Sequence, residues 1–181
     1  RSARPSPGAG GEGGMATGGA RLSGNSGGAP VRSRAPETAC PAQRPAGLRY
    51  LLDTCVLSDF ARGDANTLDQ VKATLPEHIA VSSITTMEVE FGLALDASRA
   101  HRLAPVMHAF LGAITVLPYD AEDARATAAL RATLQKKGRP IGAYDALIAG
   151  CALARGLVLV TSNEREFNRI GGLRTENWRK D

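Results

Sequence analysis

Arg49-Tyr-Leu-Leu-Asp53-Thr54 is a short apolar run that ends on a carboxylate and a hydroxyl. A run of this length and composition predicts a buried strand, and Thr54 is a natural N-cap for the apolar segment after it. Asp53 is therefore expected at a turn from a strand into a helix. In open α/β sheets, ligands bind at that edge, outside the carboxyl ends of the strands.

The alternation of short apolar runs with helical patterns continues along the chain. Further strands are predicted at residues 79–81, 114–117, 157–160 and 173–175, and helical patterns lie between most of them. Strands that alternate with helices predict a parallel sheet that is covered on both faces. The sequence therefore predicts an α/β fold over residues 49–181: a three-layer sandwich in which helices flank a short central parallel sheet.

Two more acidic residues interrupt apolar stretches. Glu88 shares one face of a predicted helix with Phe91 and Leu95, and Asp145 lies near the start of a helix that is apolar nearly all round. A buried carboxylate loses solvation worth several kcal/mol unless something compensates it. A single divalent cation compensates several carboxylates at once, and hard oxygen ligands suit Mg²⁺ or Mn²⁺. Together with Asp53, these residues indicate a metal site.

Each of the three carboxylates also has a purely structural interpretation. Asp53 and Asp145 could cap helices, and Glu88 could pair with an arginine. The occurrence of all three in one small domain favours the shared metal site. Carboxylates around Mg²⁺ in an α/β domain are typical of phosphoryl chemistry, in which the ion neutralises charge on a phosphodiester and activates water.

Several other enzyme classes are disfavoured. The glycine-rich run at residues 10–14 follows no predicted strand, which argues against a nucleotide kinase or a Rossmann oxidoreductase. No Gly-x-Ser-x-Gly motif occurs in residues 49–181, and the three histidines show no metal-ligand spacing. A dehalogenase-like phosphotransferase also places an Asp after its first strand. It needs a second acid two residues later, where this chain has Cys55.

Residues 1–48 differ in composition from the rest of the chain. They hold 11 of the 20 glycines and 6 of the 10 prolines, with few large apolar residues. Such a stretch cannot bury enough surface to offset its ordering entropy, so we predict a disordered Gly/Pro/Arg-rich leader. Its bias toward Gly, Ala, Arg and Pro is what GC-rich codons would give, and Met15 lies inside it. These features favour a mis-annotated start or an expression leader; a binding arm is the alternative.

Charge and cysteine content limit the cellular context. Six arginines and two glutamates give residues 1–48 a net charge of +4, whereas the 16 basic and 16 acidic residues of 49–181 cancel. The basic balance therefore does not indicate that the domain binds nucleic acid. Three widely spaced cysteines fit a reducing compartment. The absence of an apolar run of membrane-spanning length predicts a cytoplasmic protein with no membrane partner.

Four motifs together resemble one known family. They are Tyr50-Leu-Leu-Asp53-Thr-Cys-Val-Leu57, Thr86-Met-Glu88-Val-Glu-Phe-Gly92, Gly138-Arg-Pro-Ile-Gly-Ala-Tyr-Asp145-Ala-Leu-Ile148 and Val160-Thr-Ser-Asn163-Glu-Arg-Glu-Phe167. In order and spacing they are similar to the PIN-domain ribonucleases, specifically to VapC-type toxins of bacterial toxin–antitoxin pairs. The closing stretch at 172–178 is similar too, so the resemblance covers residues 49–178.

The resemblance implies a Mg²⁺-dependent endoribonuclease that a cognate antitoxin neutralises and that forms a homodimer. Asp53, Glu88 and Asp145 would bind the metal, with Mn²⁺ as an alternative to Mg²⁺. Asn163 stands where many PIN domains have a fourth acid, so it joins the expected catalytic set with one negative charge fewer. Glu166 could supply the missing carboxylate.

The resemblance leaves two further points open. A non-catalytic PIN scaffold that acts through a partner, or through DNA with its antitoxin, is the alternative function; such a scaffold would be expected to have lost acidic residues. Leu57, Phe60, Leu68 and Val71 could line a groove for the antitoxin or belong to the core. The identity of the RNA is not specified, since structured RNA is recognised largely by shape.

Overall fold

The computed structural model describes residues 46–179. Its strands are β1 (Tyr50–Leu52), β2 (Ile79–Ser82), β3 (Thr115–Leu117), β4 (Val158–Val160) and β5 (Arg174–Glu176). They form one sheet in the order β3-β2-β1-β4-β5, and every neighbouring pair is parallel. The prediction of a parallel sheet is confirmed.

Helices connect the strands and cover the sheet. They are α1 (Thr54–Arg62), α2 (Ala65–Ala73), α3 (Ser83–Ala94), α4 (Ala97–Ala113), α5 (Ala121–Lys136), α6 (Ala143–Arg155) and the short α7 (Glu164–Phe167). Polar side chains cap several of the long helices. Ser82 caps α3 and Asp120 caps α5, each through a side-chain oxygen. The expected cap at Thr54 is wrong by one residue, because Asp53 occupies the N-cap position of α1.

Two hydrophobic layers lie on opposite faces of the sheet. Successive strand residues point to opposite faces, so Leu51 and Leu159 join one cluster while Leu52 and Val160 join the other. The first cluster includes α5 and α6, and the second includes α1, α3 and α4. Helices therefore pack on both faces, which confirms the three-layer α/β sandwich.

The strand order places the site. Connections run outward from β1 through β2 to β3, and the chain then returns to the other side of β1 to form β4 and β5. The order reverses between β1 and β4, and ligands of open α/β sheets bind at such a switch point. Leu52 pairs with Val160, so Asp53 and Thr161 leave these two strands side by side at the same edge.

Helices α5 and α6 pack unusually closely. A Cβ atom placed on Gly150 of α6 would lie 1.8 Å from Oγ1 of Thr127 on α5, so only glycine fits there. An ion pair also joins the two helices: the Arg155 guanidinium donates to Oδ2 of Asp123 at 2.7 Å and to Oδ2 of Asp120 at 2.9 Å. Arg155 and Asp123 are both buried. These contacts hold α6, and with it Asp145, against the domain.

One sequence prediction about α3 is wrong. The predicted apolar stripe with Glu88, Phe91 and Leu95 does not face the core, since Phe91 is 61% and Leu95 71% exposed. The buried face of α3 instead carries Val89 and Leu93. The helix is apolar around most of its circumference, so periodicity alone does not determine which face packs inward.

The structure describes only the last three residues of the predicted leader. Of the predicted leader, residues 1–45 lie outside the described residues. Leu48 is 2% exposed and belongs to the core beside α5 and α6. Between residues 46 and 179, no helix is both long enough and apolar enough to cross a bilayer.

Candidate active site

Asp53 lies at the switch point, immediately after β1. Its side chain is 5% exposed, and one oxygen, Oδ1, accepts a hydrogen bond from the backbone N–H of Thr54 at 2.8 Å. The other oxygen, Oδ2, accepts from the Thr161 hydroxyl at 2.8 Å and from the Cys55 thiol at 3.1 Å. No ion pair among residues 46–179 involves Asp53. Neutral donors therefore fix the carboxylate in place.

Glu88 reaches the same edge from α3. The hydroxyl of Thr54 donates to Oε2 of Glu88 at 2.6 Å, so one residue beside Asp53 holds the second carboxylate. Strand β2 lies next to β1, and Ser82 at its end caps α3, which sets the start of the helix that carries Glu88. The arginine partner that the structural interpretation required does not occur among the described residues.

Asp145 lies in the first turn of α6, which starts after Gly142. Gly142 makes no side-chain cap, and a Cβ atom there would lie 3.1 Å from Oδ2 of Asp145, so glycine leaves room for the carboxylate. Burial raises the pKa of Asp145, and the negative charges of Asp53, Glu88 and Glu166 raise it further. The carboxylates of Asp53 and Glu88 therefore lie near enough to Asp145 to act on it electrostatically.

Removing the charge of Asp145 is expected to stabilise the protein when divalent cations are chelated. The raised pKa means that the folded state holds the ionised carboxyl less favourably than the unfolded chain does. Asp145→Asn should therefore melt at a higher temperature than wild type at neutral pH. The difference should shrink as pH falls through the raised pKa and vanish below the ordinary Asp pKa, where both states are protonated.

Thermal denaturation in EDTA at a series of pH values checks this expectation. Asp69→Asn, which removes an exposed acid on α2, is the matched control and should change the melting temperature little at any pH. If wild type instead has a higher melting temperature than Asp145→Asn at neutral pH, favourable partners of the Asp145 carboxylate outweigh the repulsion from like charges.

The loop after β4 completes the candidate site. Thr161 is fully buried and bonds Asp53, and its Oγ1 also accepts from the Asn163 backbone N–H at 3.0 Å. Asn163 precedes α7 and makes no side-chain cap hydrogen bond. Glu166 acts on the pKa of Asp145 but also pairs with Arg169 at 3.2 Å. The loop therefore contributes an acid that is paired with Arg169 and an amide, rather than a free fourth carboxylate.

Two functional contacts were missed from the sequence. Thr54 was expected to cap a helix, but its hydroxyl holds Glu88. The thiol of Cys55 touches Asp53, and burial and the charge of Asp53 raise the pKa of that thiol. Both contacts join residues that are distant in sequence or depend on the turn geometry, so no spacing pattern could have indicated them.

The candidate ligand atoms at this site are of the chemical type that a hard divalent cation prefers. Carboxylate, hydroxyl and amide oxygens are the ligands that Mg²⁺ prefers, and the crowded charge on Asp145 calls for a positive partner. Across residues 46–179, however, no three His, Cys, Asp or Glu side chains stand close enough together to hold an ion without moving. A bound cation would have to draw the carboxylates closer together.

An apolar groove adjoins the site between α1, α3 and α4. Its lining includes Thr54 and Glu88 at the site end and Leu57, Leu93 and Met107 along its floor. Of the residues considered for an antitoxin groove, Leu57 is a core residue that also borders this groove, and Phe60 stacks on Phe110 with ring centroids 4.5 Å apart.

Comparisons with known proteins agree with this geometry. Residues 50–173 match the PIN domain family. The chain is 39% identical over 131 residues to the tRNA(fMet)-specific endonuclease VapC of Shigella flexneri, which covers 72% of this chain and 98% of that protein. It is 42% identical over 126 residues to the protein of the same name from Salmonella typhimurium, covering 64% and 95%.

A solved structure leads to the same family. The crystal structure of DNA-bound VapBC from Salmonella typhimurium contains a chain that is 38% identical, with a TM-score of 0.68. The alignment covers 72% of this chain and 98% of that one. The chain belongs to the PIN-domain family and, within it, to the VapC ribonucleases.

Proposed function

We propose that this protein is a Mg²⁺-dependent endoribonuclease toxin that hydrolyses RNA phosphodiesters and is neutralised by a cognate antitoxin. One observation carries the proposal: burial raises the pKa of Asp145, and the charges of Asp53 and Glu88, on elements that meet at the same edge of the sheet, raise it further. None of Asp53, Glu88 and Asp145 has a cationic partner among the described residues. A purely structural role would leave this repulsion uncompensated.

Asp53, Glu88 and Asp145 would hold the cation, with Mn²⁺ able to replace Mg²⁺. When bound, a divalent cation supplies charge for the phosphodiester oxygens and lowers the pKa of an attacking water. The protein's own donors orient the carboxylates: Thr161 and Cys55 hold Asp53, and Thr54 holds Glu88. The Asn163 amide at the rim can orient water or a phosphate oxygen without adding negative charge.

The substrate proposed is RNA, and tRNA is the first class to test because two relatives are named as tRNA(fMet)-specific endonucleases. The turn between α5 and α6 carries exposed Lys136, Lys137 and Arg139. It leads directly into the helix that holds Asp145, and these cations precede that carboxylate by six to nine residues. Phosphate contacts from such residues position a nucleic acid without reading its sequence.

Glu88→Gln is expected to slow RNA cleavage about 100-fold or more in Mg²⁺, because it removes a negative ligand without changing shape. Glu90→Gln is the matched control on the same helix: Glu90 is exposed and bonds His108 at 2.9 Å, away from the cluster. Its cleavage rate should equal that of wild type.

The assay uses purified protein and a tRNA pool, with EDTA and then excess Mg²⁺ added in turn. EDTA should stop cleavage by wild type, and Mg²⁺ should restore it. Cleavage that persists in EDTA, or a Glu88→Gln protein as active as Glu90→Gln, would contradict the proposed reaction.

The antitoxin and homodimer parts of the proposal rest on exposed apolar surface. Met87 and Phe91 on α3, and Leu95 just after it, are exposed and lie near in sequence to Glu88, Gly92 and Leu93, which line the groove. Contiguous exposed apolar residues mark interaction sites. Relatives of this fold were crystallised as VapBC complexes. Co-purification with the product of the adjacent gene, and the mass of the isolated chain in solution, test these two partners.

A further inference from the structure

Cys55 stands at the centre of the hydrogen-bond network around Asp53. Its Sγ lies 3.1 Å from Oδ2 of Asp53 and 3.4 Å from Oγ1 of Thr161, and it accepts from the Ser162 backbone N–H at 3.2 Å. Cys55 lies in the first turn of α1, just after β1, and Ser162 lies in the loop after β4. The thiol therefore links the two sides of the switch point.

The amides of the loop after β4 orient both donors. Ser162 N–H donates to Sγ of Cys55, and Asn163 N–H donates to Oγ1 of Thr161. Each of these acceptor atoms has one hydrogen of its own, and Oδ2 of Asp53 is within reach of both. The backbone of the loop thus aims two hydrogens at the same carboxylate oxygen.

The consequence concerns which oxygen of Asp53 remains available. A carboxylate oxygen offers about two acceptor positions. Both positions of Oδ2 are taken by Cys55 and Thr161, whereas Oδ1 accepts only from the Thr54 N–H. An incoming cation therefore has a free lone pair at Oδ1 and none at Oδ2.

We propose that Cys55 is a positioning residue that, with Thr161, holds Oδ2 of Asp53 so that the carboxylate presents Oδ1 alone to a divalent cation. The inference rests on the proposed function, since it assigns a role within the same metal site. Residues that orient a metal ligand typically change metal affinity about 10–100-fold when mutated. The alternative is that Cys55 only fills space beside the core cluster that contains Val56 and Leu57.

Cys55→Ala and Cys55→Ser separate these two roles. Ser keeps a donor and an acceptor, whereas Ala keeps neither. Mg²⁺ titration calorimetry on the full chain should show about tenfold weaker binding or more for Cys55→Ala, and binding within about threefold of wild type for Cys55→Ser. Cys151→Ala, which removes a fully buried thiol of α6, is the control and should bind Mg²⁺ as wild type does.

Hydrogen exchange at the Ser162 amide gives a readout that does not depend on metal. Its protection should fall in Cys55→Ala and return in Cys55→Ser, because only Ser restores an acceptor for that N–H. If Cys55→Ala does not fold, Cys55→Val takes its place, since it fills the space without a hydrogen-bonding atom, and the same losses are expected.

Equal Mg²⁺ affinity of wild type and the Ala or Val variant would overturn the positioning role while leaving the proposed function standing. Equal weakening by Ser and Ala would also overturn it, because packing would then explain both. A wild type that binds no Mg²⁺ would overturn the proposed function itself and this inference with it.

Discussion

Asp53→Asn is expected to reduce RNA cleavage about 100-fold or more while the protein stays folded. The amide has the shape of the carboxylate, and its oxygen can still accept from the Thr54 N–H at the start of α1. Asn caps helices about as well as Asp does, so the helix should not fray. What is lost is one negative charge at the switch point, where the proposed cation has to bind, together with the acceptor that Thr161 and Cys55 use.

Circular dichroism and thermal denaturation establish that the variant is folded, and a single-turnover cleavage assay measures the rate. Asp59→Asn provides a second reference on α1: Asp59 is also buried, but it pairs with Arg62 at 2.8 Å and lies away from the cluster. Asp59→Asn can lower stability, but folded protein should cut at the wild-type rate. An Asp53→Asn protein that cuts as fast as wild type would refute the assignment.

Gly150→Ala is expected to lower the free energy of unfolding by at least about 2 kcal/mol. The added methyl group would overpack a buried contact, and this cost exceeds the gain in helix propensity. The added Cβ would meet Thr127 Oγ1 at 1.8 Å, Thr127 Cβ at 2.9 Å and Thr127 Cα at 3.0 Å. Rotation of the threonine can move the hydroxyl but not the backbone. Alanine favours a helix over glycine by about 1 kcal/mol, which offsets only part of this cost.

Chemical denaturation of Gly150→Ala measures the loss, with Gly112→Ala on α4 as the control. A Cβ atom at Gly112 meets nothing within 4 Å, so that variant should be as stable as wild type or slightly more so. Because α6 carries Asp145, displacement of the helix should also lower cleavage by whatever Gly150→Ala protein remains folded. A Gly150→Ala protein as stable as Gly112→Ala would show that α5 and α6 can separate without cost.

The presence of a parallel sheet and the positions of Asp53 and Asp145 could be predicted because each depends on a local pattern. Asp53 follows a short apolar run, and Asp145 is the single acid of an otherwise apolar helix start, so both stand out against their neighbours. The parallel order then brings the turns after β1 and β4 together. Periodicity was sufficient for these features because each depends on residues close in sequence.

The face of α3 and the contacts around Asp53 could not be predicted in the same way. Helix α3 has apolar residues on more than one side, and tertiary packing selects Val89 and Leu93 over Phe91. The bond from Thr161 to Asp53 joins residues 108 positions apart, and its existence depends on β4 lying beside β1. Arg155 and Asp123 likewise meet only because α5 and α6 pack closely.

Equilibrium binding of Mn²⁺, followed by electron paramagnetic resonance of the free ion, tests the metal site most directly. Wild type should bind Mn²⁺ in competition with Mg²⁺, and Asp53→Asn, Glu88→Gln and Asp145→Asn should each weaken that binding about tenfold or more, whereas Glu90→Gln should not. Undiminished binding in all three variants, or no binding by wild type, would contradict a shared cation at the edge of the sheet.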